Sequence, residues 1–300
     1  MLDNMAKPPQ GTYLFAQYGY ASKQIKPQLT LQVSDKEFFL QPRDQVVTLV
    51  FDVSQRYCTG WHDLATSQSY VCPDRIRLPA QFSQCRHCQV KTGFNPAFYH
   101  AQTISPQQQA RNQLPHSLYL AHFAPGVIKV GITWAERGIK RLLDQGARSC
   151  LIIKTYPNAE IARQYEATIA KLPGIVEMLQ GRLKSQLLIR PYDPQAGAIE
   201  LVQTRDRLVA ALTITPEENK PQYLDVYYTG THQLKPRNVV YLPKQSSISG
   251  TCIGMMGNTI ICQQQDTQFA MPLSSFIGYN VALGYTQVSN NHQPLQTSLF

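Results

Sequence analysis

The stretch at residues 118–146, LYLAHFAPGVIKVGITWAERGIKRLLDQG, carries the pattern that decides the fold. Two runs rich in β-branched and aromatic residues, 118–123 and 127–133, flank Ala124, Pro125 and Gly126, whose turn chemistry closes them into a hairpin. Thr133 and Glu136 have the spacing of a capping box. Ile139, Leu142 and Leu143 mark the buried face of a helix that stops at Gly146. Residues 150–156 give a third strand, and Asn158 caps a second helix with Ile161, Tyr165, Ile169 and Leu172 on one stripe. The order strand, strand, helix, strand, helix predicts a mixed domain of the α+β class, with Arg137 and Arg141 sharing one face of the first helix, Lys140 close by, and Glu166 on the flank of the second.

Toward the N-terminus, residues 12–18, 28–33, 38–40 and 46–53 read as strands, and helix signals are absent there. Residues 102–115, with Gln107, Gln108 and Gln109, read as a polar connection. Beyond Pro173, residues 205–212 have helical character, and 223–229, 239–242, 251–262 and 268–271 return to strand character with a turn at Gly257 and Asn258. The organisation expected is a β-rich part at 1–57, a metal-binding region at 58–100, the mixed domain at 116–215, a second β-rich part at 216–286 and a flexible tail at 287–300.

A chain of 300 residues with 43% hydrophobic residues buries a real core, which sets wholesale disorder aside. Lys and Arg exceed Asp and Glu to give a net charge of +9, a field that favours phosphate-rich partners over acidic ones. No stretch approaches about 20 apolar residues and no signal-like apolar run follows Met1, so a cytoplasmic protein without membrane association is expected. A reducing compartment turns clustered cysteines toward metal or catalysis rather than disulfides.

Residues 56–88 place cysteines among Gly60, Pro73 and Pro79, a loop-rich composition that buries little apolar surface without help. Cys85 and Cys88 are spaced for one tight turn to present both thiolates to a tetrahedral ion, and Cys58 and Cys72 complete a four-cysteine shell for one structural zinc. His62 and His87 lie in the same stretch and are the alternative ligands. Arg56, Arg75, Arg77 and Arg86 offset the charge of four thiolates around zinc. Cys150, Cys252 and Cys262 sit in strand-like apolar settings and read as core residues.

Leu118, Tyr119 and Leu120, followed by Lys129, Val130, Gly131, Ile132 and Thr133, resemble the two-strand signature of the GIY-YIG nuclease superfamily. The resemblance covers roughly residues 118–172. It implies that Tyr119 helps activate water, that Arg137 or Arg141 steadies the phosphate, and that Glu166 binds a divalent metal, Mg²⁺ or Mn²⁺. Lys129 stands where the second tyrosine of that signature falls and, with Lys140, would contact phosphate. Gln145 stands where the superfamily often has His or Tyr. Over most of the chain, the C-T-G-W run at residues 58–61, the Cys85–Cys88 knuckle and the K-V-G-I-T segment resemble a bacterial family known as domain of unknown function 2797.

Together these readings predict a zinc-stabilised nucleic-acid-binding protein, for DNA or RNA, with a degenerate GIY-YIG-like domain. The alternatives are a metal-dependent endonuclease and a protein-interaction scaffold using the terminal β-rich part. No Gly-rich phosphate loop, nucleophile elbow or zinc-protease motif occurs, which sets aside NTP hydrolysis and acyl transfer.

Overall fold

A computed structural model describes residues 7–21, 24–94, 104–176, 178–179, 187, 190–217 and 220–290. Strands β1 (Gly11–Tyr20), β2 (Pro27–Val33), β3 (Lys36–Leu40) and β4 (Val46–Tyr57) come first. The short strands β5 (Trp61–His62), β6 (Ser69–Tyr70) and β7 (Arg77–Leu78) precede helices α1 (Arg86–Thr92) and α2 (Pro106–Asn112). Next come β8 (His116–Ala124), β9 (Val127–Trp134), α3 (Lys140–Gln145), β10 (Ser149–Tyr156), α4 (Ala159–Ile169), β11 (Ile175–Val176) and α5 (Pro194–Leu212). The chain closes with β12 (Gln222–Tyr223), α6 (Asp225–Thr229), β13 (Val239–Tyr241), β14 (Ser247–Met256), β15 (Thr259–Gln264), β16 (Thr267–Pro272) and β17 (Tyr279–Gly284). The result is a mixed α/β chain with more strand than helix and two compact units. One unit joins residues 1–92 to 228–300, and the other is residues 93–227.

In the first unit the β-rich ends of the chain pair in a single sheet of order β13-β16-β15-β14-β4-β17-β1-β2-β3, with β7 alongside β4. β4 is central because Val47, Leu49 and Phe51 alternate with less buried neighbours, the period-2 pattern of a strand packed on one face. Phe51 stacks on Phe276 at 4.2 Å and meets Phe15 edge-on at 5.4 Å, so residues far apart in sequence share one core. Strand β17 carried no recognised signal in the sequence. The turn at Gly257 and Asn258 joins β14 to β15 as expected.

The second unit is a five-stranded sheet of order β11-β9-β8-β10-β12. Its middle strand β8 is buried along its whole length, because Leu118 and Leu120 pack with Val130, Leu151 and Ile153 against α4 and α5 on one face while Tyr119 faces α3 on the other. Asn158 caps α4 as expected, its side chain accepting from the Ile161 N–H, and Gly146 ends α3 in the left-handed conformation.

Thr133 and Glu136 form no capping box: Thr133 stays in β9, a 3₁₀ turn occupies Ala135–Arg137, and Gly138 at φ +52° separates it from α3. Arg137 and Arg141 therefore do not share a helix face. The polar residues 102–115 contain helix α2, whose start is set by the Ser105 hydroxyl accepting from the Gln108 N–H and by Pro106 at the first helical position. Residues 225–229 are helical rather than extended. Within the expected tail, residues 287–290 are described, with Val288 and Asn290 bonded to Ser249, and residues 291–300 lie outside the described residues. No helix among the described residues is long and apolar enough to cross a membrane.

Candidate metal centre and the Tyr119 cluster

Each cysteine of residues 58–88 is delivered by a separate device. Strand β4 ends at Tyr57 and hands on Cys58, whose N–H is held by the Ile76 carbonyl at 2.9 Å. The β5–β6 hairpin, turned by Asp63 accepting from the Ala65 and Thr66 N–H groups, returns the chain to Cys72. Cys85 lies just before α1 and Cys88 on its first turn, three residues apart and so on one face.

The four Sγ atoms lie within 4.8 Å of one another, and all four residues are buried. Ligands about 2.3 Å from a tetrahedral zinc are about 3.8 Å apart, so the cluster fits such an ion with small adjustments of the side chains. The Cys85 and Gly60 N–H groups donate to Cys58 Sγ at 3.2 and 3.5 Å, the kind of support that thiolate ligands receive. Trp61 and Leu78 pack around the cluster, and Trp61 stacks on Tyr70 at 4.1 Å. Gln84 ties the shell together by donating to the Gly60 carbonyl at 2.8 Å and to Thr92 at 3.1 Å. Gly60 is required: its φ is +104°, and a Cβ there would run into the Tyr70 carbonyl.

Burial pushes the Cys58 thiol up to about 11 and raises Cys88 as well, whereas against burial the Cys88 N–H and neighbouring thiols hold Cys85 below its ordinary value. A divalent cation binds such a pocket by displacing protons. His62 is engaged with Ser69 at 3.3 Å and His87 is exposed on α1, so neither belongs to the cysteine cluster. Cys150, Cys252 and Cys262 are buried core residues, the last two directly opposite each other in the β14–β15 ladder.

In the residue 93–227 unit, Tyr119 is 1% exposed and its hydroxyl accepts from Gln145 Nε2 at 3.0 Å. Burial raises its ionisation above the ordinary phenol value; the Arg141 guanidinium and Gln145 oppose that rise, and the Glu166 carboxylate adds to it. Tyr119, Arg141, Gln145 and Glu166 are thus within electrostatic reach of one hydroxyl. Gly131, paired with Tyr119 across β8 and β9, has no room for a side chain, because a Cβ would overlap the phenol ring. Glu166, expected on the flank of α4, is buried there at 7% exposure.

Arg137 is held away from this cluster in an ion pair with Asp144 at 2.6 Å. Lys140 is half-buried; burial lowers its ionisation, Asp144 opposes that, and Arg137 adds to it. Lys129 lies two residues from Gly131, on the same face of the sheet as Tyr119, and donates to the Val130 carbonyl at 3.2 Å. Gln145 as a partner of Tyr119 was not read from the sequence as such; its position four residues after Arg141 on α3 is the signal that places both on one helix face.

Residues 46–281 match a family described as a protein of unknown function (DUF2797). No curated protein and no solved structure matches the chain.

Proposed function

The chain belongs to the DUF2797 family, whose description assigns no activity, and from its residues we propose that it is a zinc-stabilised nucleic-acid-binding protein with a degenerate GIY-YIG-like domain. The zinc, held by Cys58, Cys72, Cys85 and Cys88, has a structural role: four protein ligands leave no position for a reacting water. The observation that carries the non-catalytic side of the reading is Tyr119, whose hydroxyl is out of water, bonded to Gln145 and harder to ionise than an ordinary phenol. A general base needs its ionisation near the working pH and a path to the attacking water. The binding side of the reading is supported by the net charge of +9, by Lys129 on the same sheet face as Tyr119, and by Arg137 and Lys140, the one just before α3 and the other at its start.

The test is fluorescence anisotropy with labelled single-stranded and duplex DNA and RNA across a salt series. Binding weakens steeply as salt rises, because phosphate contacts release counterions, and the double variant Arg137→Ala with Lys140→Ala lowers the salt slope by about 1 to 2. A chain that binds none of these polymers at low salt refutes the reading.

A second reading, metal-dependent cleavage, is favoured by one observation: Arg141 and Glu166 both act on the Tyr119 hydroxyl, the three residue types that the nuclease resemblance requires. In it Glu166 would hold Mg²⁺ or Mn²⁺, Arg141 would stabilise charge on the phosphoryl oxygens, and Lys129 would contact the backbone. Cleavage that needs added metal and vanishes in Tyr119→Phe and Glu166→Gln would decide for it.

A further inference from the structure

Beside the cysteine cluster the first unit holds an aromatic stack that ligation of a metal does not require. Trp61 packs against the cysteines, and Tyr70, directly opposite it across the β5–β6 pair, lies on the indole with ring centres 4.1 Å apart and planes 10° from parallel. The stack is held on several sides. Gly60, next to Trp61, has no side chain, and the Tyr70 carbonyl occupies the space that a Cβ there would take. The Tyr70 hydroxyl donates to Gln68 Oε1 at 2.9 Å, and the His62 N–H donates to Thr92 Oγ1 at 3.1 Å, which ties the hairpin to α1.

Covering a buried cluster asks for buried apolar surface, yet Tyr70 is 38% exposed. The indole covers one face of the phenol ring, so that exposure falls on the other face and the edge. Lys91 flanks the stack, with Nζ 5.2 Å from the centre of the Trp61 ring. The helix that carries it, α1, also has Arg86 and His87 at its surface and contains no acidic residue. His87 and Lys91 are four residues apart and share one face of that helix. A fixed aromatic plane next to a cation is the pairing that takes up unpaired nucleobases: the base stacks on the ring and the backbone phosphate meets the charge.

We propose that the Trp61–Tyr70 stack is a platform for one unpaired base of a single-stranded nucleic acid, with Lys91 contacting the adjoining phosphate. A single strand is indicated because bases inside a duplex already have both faces covered by their neighbours. The platform costs little to use, since its rings are held in place before the strand arrives. This site rests on the nucleic-acid reading above and names the form of the polymer that is recognised and the part of the chain that recognises it.

The test measures anisotropy of labelled single strands, DNA and RNA, on the zinc-loaded chain, against strands of the same length and charge in which abasic spacers replace the bases. The base-bearing strand should bind about tenfold more tightly, the effect of one stacked base. Tyr70→Leu should close that gap and Tyr70→Phe should keep it, because stacking needs the ring and not the hydroxyl, with zinc content unchanged in both. Lys91→Gln should weaken both strands alike and lower the salt slope by about 1. Duplex affinity should be the same in Tyr70→Leu as in the unmodified protein. Equal binding of base-bearing and abasic strands, with binding itself intact, overturns the platform and leaves the nucleic-acid reading standing, as does a gap that survives in Tyr70→Leu. Absence of binding to every strand overturns the platform together with that reading.

Discussion

Cys85 lies just before a helix whose first turn carries Cys88, and removing its thiol takes one of four from a buried cluster. Cys85→Ser should lower zinc content measured by elemental analysis and cost several kcal/mol of stability, since structural zinc binding is folding free energy. Zinc binding to the metal-free protein should release protons, read with a pH indicator dye, and affinity should fall as pH drops, because thiols raised by burial must ionise to coordinate. Gly131→Ala should destabilise the second unit by about 1 to 3 kcal/mol in urea denaturation, because the new methyl group meets the Tyr119 ring. The cysteine shell was legible in the sequence, since few residue types bind zinc and their loop-rich setting had little else to fold around. The burial of Glu166 was not legible, because an amphipathic stripe locates the apolar centre of a helix but not how far neighbouring elements cover its edges.

Helix starts illustrate the same divide one level up. Asn158 was legible because a cap and a following apolar stripe agree, and Asn158→Ala should cost about 1 kcal/mol by thermal or urea unfolding. Thr133 has the same kind of sequence signal but continues β9, where its pairing with Ser117 outweighs a local cap. Thr133→Ala should leave α3 in place, checked by backbone chemical shifts. Helix α2 was hidden by its glutamines, which lack an apolar stripe; its signal is the Ser105–Pro106 pair at the start. Strand β17 was hidden because it pairs with β1 and β4, partners that no local window contains.

On the scale of the whole molecule, the division into two units predicts separable responses. Chelation of zinc should strip amide protection from residues 58–92 while β8, β9 and β10 keep theirs, read by hydrogen exchange with mass spectrometry. The hairpin, the two helices and the third strand of residues 118–172 were legible because neighbours in sequence pair with one another. The large sheet was not, because its register joins the two ends of the chain.

That register sets which strands can pair as the chain is synthesised. Gly11 pairs with Leu283, and β4 is flanked by β14 and β17, so β1 and β4 leave the ribosome well before these partners and wait for them. The intervening unit is continuous in sequence and can fold as soon as it emerges. At about 5 to 20 residues per second the early strands spend many seconds with open edges, the interval in which a nascent chain most needs a chaperone.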